Sequence, residues 1–172
     1  MIIWLNGAHG AGKTSVAGRI LRRHPGAWLF DPERIGFMLR RAWPGDQPDD
    51  FKDMPAWRDL TLAALKAVAA EAGAVPVLVP MTLADPQLFR EIVGGLRASG
   101  LDVRHFTLTA SAETLRKRLR RRLDWPASRR WAMKRAEADA AALAHPSYAR
   151  HLDTERASIA DLAAAVMRLA GG

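Results

Sequence analysis

Short apolar runs alternate with amphipathic stretches along this 172-residue chain. The runs at 1–6, 27–30, 75–80, 102–108 and 150–153 are apolar rather than strictly alternating, as parallel strands covered on both faces are. Helical periodicity covers 13–24, 32–42, 55–72, 86–98, 112–123, 128–144 and 159–170. The punctuation agrees with this division. Asp31-Pro32 and Asp85-Pro86 each set a capping acid before a proline suited to the first helical position. Ser158-Ile159-Ala160-Asp161 resembles a capping box, and Gly73 and Gly100 stand where helices end. Strand–helix alternation predicts an α/β fold, a doubly wound five-stranded parallel sheet with helices on both faces, in one domain over 1–172. The stretch 43–54 reads as a loop long enough to bind or cover a ligand.

The first strand–helix junction carries the clearest chemistry. Gly7-Ala8-His9-Gly10-Ala11-Gly12-Lys13-Thr14 fits the phosphate-binding loop G-x-x-x-x-G-K-[ST] at every fixed position. An apolar strand, Met1 to Leu5, precedes it, and a helical stretch from Ser15 follows. In such a loop successive backbone N–H groups cradle phosphate oxygens at the positive end of a helix. Lys13 is expected to reach the terminal phosphates and the Thr14 hydroxyl to hold a magnesium ion. ATP and Mg2+ are the cofactors this implies.

Other candidates fall on the same sheet edge. Asp31 closes the second strand, and in open α/β sheets ligands bind at the carboxyl ends of strands. A carboxylate there can accept a proton from an acceptor hydroxyl, hold magnesium through water, or simply cap the helix. Arg34, one turn on, is placed to grip an anionic acceptor. Phe37, Met38, Trp43, Phe51, Met54 and Trp57 gather around the following loop and suggest an apolar or amphiphilic acceptor bound by about 32–58. Met81 and Thr82 end the third strand and join that acceptor set. The strand itself, Val77-Leu78-Val79-Pro80-Met81, lacks the acid that motor and switch-type ATPases carry there.

Composition sharpens the charge pattern. The net charge is +8 and, of 26 basic residues, 21 are Arg. Ten basic residues and one acid, Asp124, lie between Arg116 and Arg135. Arg118 and Arg122 share a helix face; Arg129, Arg130 and Arg135 follow a break at Pro126. This predicts a small Arg-rich lid over about 123–134, with Arg118 and Arg122 neutralising charge on a transferred phosphoryl group. Arg binds phosphate bidentately, so the basic excess needs no nucleic acid, and no aromatic-interleaved basic motif argues for one. With no cysteines there is no disulfide framework or thiolate chemistry, and the histidines show no metal spacing. No leader or spanning segment is visible, so a cytoplasmic protein is expected.

Two resemblances follow from these residues. The early phosphate loop, the acid after the second strand, the Arg-x-x-x-Arg helix and the late Leu152-Asp153-Thr154 turn look like the nucleoside monophosphate kinase-like group of P-loop proteins. That resemblance implies that Asp153, Thr154 and Arg156 line a base pocket, with residues 7–15 (Ser15 included), Arg118 and Arg122 completing the nucleotide site. A narrower set recurs in order over 1–120: Met1 to Ala8, Asp31-Pro32-Glu33, Ile35-Gly36-Phe37, Val79-Pro80-Met81-Thr82, His105-Phe106-Thr107-Leu108, Glu113-Thr114-Leu115 and Lys117-Arg118-Leu119-Arg120. These segments resemble the tunicamycin resistance proteins. The resemblance implies an ATP-binding protein acting on tunicamycin, a fatty-acylated uridine antibiotic, either by phosphorylating it or by sequestering it. Members of that family carry a C-terminal amphipathic extension proposed to bind membrane; this sequence ends at Gly172 just after its last helical stretch, so stable membrane attachment is not expected.

Overall fold

A computed structural model describes residues 1–121, 126–148 and 150–171, with backbone alone for 126–129. Five parallel strands form one sheet: β1 (Ile2–Gly7), β2 (Trp28–Leu29), β3 (Val77–Pro80), β4 (Val103–Thr109) and β5 (His151–Asp153). Their order is β2-β3-β1-β4-β5, with Ile2 of β1 opposite Val77 on one side and Val103 on the other. This is the predicted doubly wound parallel sheet. The helices between the strands are α1 (Lys13–Arg23), α2 (Glu33–Ala42), α3 (Pro55–Ala72), α4 (Pro86–Phe89), α5 (Gly95–Ala98), α6 (Ala112–Arg120), α7 (Pro126–Leu143) and α8 (Ile159–Gly171).

β1 shows why both faces are covered. Ile3 and Leu5 point into a core with α1, α6, α7 and α8, while Ile2 and Trp4 point into a second core with α3, α4 and α5. Alternate side chains thus feed opposite layers, which is what makes the strand read as continuously apolar. β2 departs from the expected buried strand. It spans two residues, Trp28 and Leu29 are both exposed, and it sits at the sheet edge with one neighbour.

The predicted helix at 86–98 is helical throughout but changes its winding. A π-helical turn over Arg90–Gly94 separates α4 from α5. Gly94 and Gly95 weaken the α-helical preference here. The predicted loop 43–54 is tied down at several points. Arg40 donates to the carbonyls of Pro48 and Asp49, Gln47 donates back to Arg40 O, and Phe51–Asp53 form a 3-10 turn.

That loop docks on α2 through Phe51. A Cβ at Gly36 would lie 2.4–2.7 Å from the Phe51 ring. Gly36→Ala is expected to destabilise the protein by about 1–3 kcal/mol in urea unfolding, through overpacking. Combined with Phe51→Ala, the two losses should sum to less than their separate values, because the smaller side chain removes the clash.

Candidate functional site

The carboxyl end of β1 runs into the phosphate loop. Gly7 has φ +143°, and a Cβ there would meet Leu108 O at 2.7 Å, so only glycine fits between β1 and β4. Gly12 has φ +100° and turns the chain into α1. The helical ladder starts with Val16 N donating to Gly12 O, which leaves the first-turn amides without intrahelical acceptors, as an anion-binding helix start requires. Thr14 and Ser15 are exposed beside them. Ala8 and Ala11 turn their methyls into the core, so they offer a ligand backbone only. Lys13 Nζ folds back onto the loop and donates to Gly7 O at 2.8 Å and Ala8 O at 3.2 Å.

Asn6 fixes the start of this loop. Its Oδ1 accepts from Gly7 N and Leu83 N, both at 2.9 Å, and its Nδ2 donates to Leu83 O at 3.0 Å. Thr82 adds a hydroxyl bond to Gly7 O at 2.8 Å. The segment after β3 is thereby laced to the segment after β1.

On the nucleotide side, Arg118 from α6 reaches the turn after β5. Its guanidinium donates to Thr154 Oγ1 at 2.8 Å and Thr154 O at 2.7 Å, with a longer bond to Gly10 O at 3.4 Å. Asp153 accepts from Glu155 N, and Arg156 extends into solvent near Asp153 at 3.8 Å. Hydrogen bonds from the Ser111 hydroxyl and amide hold the Glu155 carboxyl down at about 2. Asp153 and Glu155 also line a cleft of about 260 Å³ shared with Ala8, Ala11, Ser111 and Ala140. Arg122 lies outside the described residues.

The acceptor-side candidates divide into two groups. Asp31 is half-buried, with Oδ1 accepting from Glu33 N at 3.0 Å at the start of α2. Arg34, Phe37 and Met38 lie on the outer face of α2, with Phe37 56% and Met38 53% exposed. They line an open hollow with Arg40 and Arg41. Trp57 and Met81 instead lie inside the core, where Trp57 Nε1 donates to Pro32 O at 3.0 Å and so supports the Asp31-Pro32 turn from behind. Thr82 is buried on Gly7. The lid expected over 123–134 falls partly outside the described residues. Its later half belongs to α7, whose Ala132 and Ala136 are buried in the α1-side core.

A further group lies beside the loop. Asp50, Lys52 and Asp139 are all buried. Lys52 Nζ is 3.2 Å from Asp50 Oδ2, and Arg135 stands 3.7 Å from Asp50 and 4.0 Å from Asp139. Burial pushes the Asp139 carboxyl above the ordinary carboxylate range and Asp50 adds to the rise, while Lys52, Arg135 and Lys13 oppose it.

The AAA domain family matches residues 2–146. The tunicamycin resistance protein of Deinococcus radiodurans aligns with a TM-score of 0.82 at 31% identity, covering 99% of this chain and 95% of that one. The chain belongs to the tunicamycin resistance protein family. An APS kinase of Mycobacterium tuberculosis, in complex with AMPPNP and APS, has a TM-score of 0.67 at 16% identity over 99% of this chain and 97% of its own. A gluconokinase of Sinorhizobium meliloti gives 0.60 at 20%, covering 98% and 93%. These two likenesses show a shared fold. No curated protein gives a significant sequence match. This family member is therefore a nucleotide-binding, kinase-like protein. Among the described residues no helix is long and apolar enough to cross a membrane.

Sequence reasoning singled out none of Asn6, Asp50, Lys52 and Asp139 as site residues. Asn6 had a usable signal, a polar residue ending a strand one position before the loop. The other three belong to a loop and a helix far apart in sequence, and no local pattern joins them.

Asn6→Ala would strand the buried amides and carbonyl at Gly7 and Leu83. Urea unfolding is expected to show a loss of about 3 kcal/mol or more, the scale of three unsatisfied buried groups at about 1 kcal/mol or more each. Asp139 sets a pH dependence of definite sign. Its folded pKa lies above the unfolded value, so the folded state holds the extra proton and stability falls as pH rises between the two. Relative to Asp139→Asn, the wild type should lose stability as pH rises above about 3.8, the unfolded reference, and then level off.

Proposed function

We propose that the protein is an ATP-dependent small-molecule kinase that protects against tunicamycin by phosphorylating it or a related nucleoside. The observation that carries this reading is the likeness over 99% of the chain to a tunicamycin resistance protein, joined to an intact phosphate loop. Lys13 and the loop amides hold the triphosphate of ATP. Thr14 would hold magnesium through its hydroxyl, and the ion would supply charge neutralisation at the phosphates. A single hydroxyl donor fits an ion that usually keeps several waters and leans on substrate phosphates. Asp31 takes the proton of the acceptor hydroxyl as it attacks. Arg118 and Arg122 neutralise charge developing on the transferred group. The exposed apolar and basic face of α2, with Phe37, Met38 and Arg34, suits an acceptor that joins a polar head to an acyl chain.

A second reading, nucleotide-gated sequestration of the drug, draws on one observation. Asp31 already spends a carboxylate oxygen on Glu33 N, as a helix-starting residue does. Incubation with ATP, Mg2+ and tunicamycin separates the two. The kinase yields drug carrying one more phosphoryl group by mass spectrometry, lost in both Lys13→Ala and Asp31→Asn, with turnover down at least about 100-fold for the base variant. Tight binding of both ligands with no product would leave sequestration, and Asp31→Asn would then keep resistance in cells.

A further inference from the structure

Lys52 is 6% exposed, an unusual place for an ammonium. It lies 3.2 Å from Asp50 Oδ2 and donates to Thr82 O at 3.4 Å. Thr82 in turn donates its hydroxyl to Gly7 O, the carbonyl that also accepts Lys13 Nζ. Two lysines from separate elements therefore hang from one floor, Gly7 laced to Thr82. Arg135 arrives from α7, 3.7 Å from Asp50 and 5.3 Å from the Trp131 ring, and that ring meets His9 of the phosphate loop edge-on at 5.2 Å. Among the described residues Asp139 Oδ2, in a side chain from the same helix, has no hydrogen-bond partner.

Lys52 and Arg135 thus converge on two carboxylates beside the phosphate loop, and the charge of Lys13 also acts on Asp139. Fold stability does not account for them. A buried ion pair contributes little over well-packed apolar residues, and this group leaves an acid oxygen unbonded and positive charge in excess. Surplus cations beside a loop built for phosphate, Lys52 buried and Lys13 and Arg135 partly so, match a phosphoryl group, whose oxygens take charge-assisted bonds from several donors at once. A lysine suits this better than an arginine, because its compact charge on a flexible stem can swing from one partner to another.

We propose that Lys52 is a second phosphate-contacting lysine of the site, engaging the terminal phosphoryl group of bound ATP, with Asp50 as its positioning residue. The inference rests on the reading of residues 7–14 as an ATP site. Without nucleotide, Asp50 holds the ammonium over Thr82. When the terminal phosphoryl group enters, its oxygens replace that carboxylate, and no covalent bond changes. Because Lys52 lies in the 3-10 turn closing the 43–54 loop, the exchange couples the acceptor-side loop to the presence of the terminal phosphate.

The test is calorimetric titration of the intact protein with AMPPNP and with ADP, both with Mg2+. Lys52→Met leaves the buried Asp50 carboxylate to the longer Arg135 ion pair, so Asp50→Asn/Lys52→Met is measured beside it, with circular dichroism as the check on folding. Loss of Lys52 should weaken AMPPNP about tenfold or more, the scale of a hydrogen bond to a charged group, and ADP far less. Lys52→Arg should recover part of the difference. Asp50→Asn alone keeps a turn-capping oxygen but removes the competing charge, so it should raise the preference for AMPPNP over ADP; a merely structural Asp50 would not move that ratio. Equal losses for both nucleotides, or a folded double variant with wild-type preference, would overturn the assignment of Lys52. A wild-type protein that binds neither nucleotide would overturn the ATP site, and this inference with it.

Discussion

The carbonyl of Gly7 is the point on which the site hangs. It accepts the Lys13 ammonium from within the phosphate loop and the Thr82 hydroxyl from the neighbouring strand's extension. Asn6, one residue earlier, binds the amide on one side of it and both backbone groups of Leu83 on the other. A loop that must present amides to a ligand can spend few of them on its own rigidity. Here Gly7 N goes to Asn6 and Ala11 N to Ala8 O, and the rest of the bracing comes from carbonyls and from a side chain behind the loop.

The two cores set where these bonds can form. Ile2 and Trp4 lock β1 to the α3 layer, Ile3 and Leu5 lock it to the α1 layer, and the register with β3 and β4 follows from both. Trp4 also donates its indole N–H to Met81 O, so the strand that leads into the loop and the segment that braces it are fixed by one side chain. Trp57 does the same for the acceptor side by holding Pro32 O beneath Asp31. Large buried aromatics with one polar bond each thus place the two carboxyl-end turns from within the core.

Most of the fold was legible from local pattern, because parallel strands and amphipathic helices write their burial into consecutive residues. The phosphate loop was legible for the same reason: its geometry needs particular residues at fixed spacing. The misreadings share a cause. Trp28 and Leu29 look like core by composition, but a strand at the sheet edge has nothing to cover them. Trp57 and Met81 look like pocket lining because apolar residues near a site read alike whether they face ligand or core. Asp50, Lys52, Arg135 and Asp139 were invisible as a group. Their meeting depends on how a loop after α2 and a helix after α6 pack over β1, and charge at isolated positions reads as solvated surface until that packing is known.

The absent acid at the end of β3 gains a physical sense from this arrangement. A carboxylate at the Met81-Thr82 position would lie next to the Thr82 carbonyl that accepts Lys52. It would compete with Asp50 for the ammonium and cancel the positive excess beside the phosphate loop. An uncharged Thr82 instead spends its hydroxyl on Gly7 and its carbonyl on Lys52, bracing the loop while leaving the local charge positive. On the proposed reading, neutralisation that a metal-binding acid assists elsewhere is shifted toward direct contact by cations. The protein then depends on keeping those cations paired and ready to exchange partners, and buried acids on two separate elements, Asp50 and Asp139, are the means of doing so.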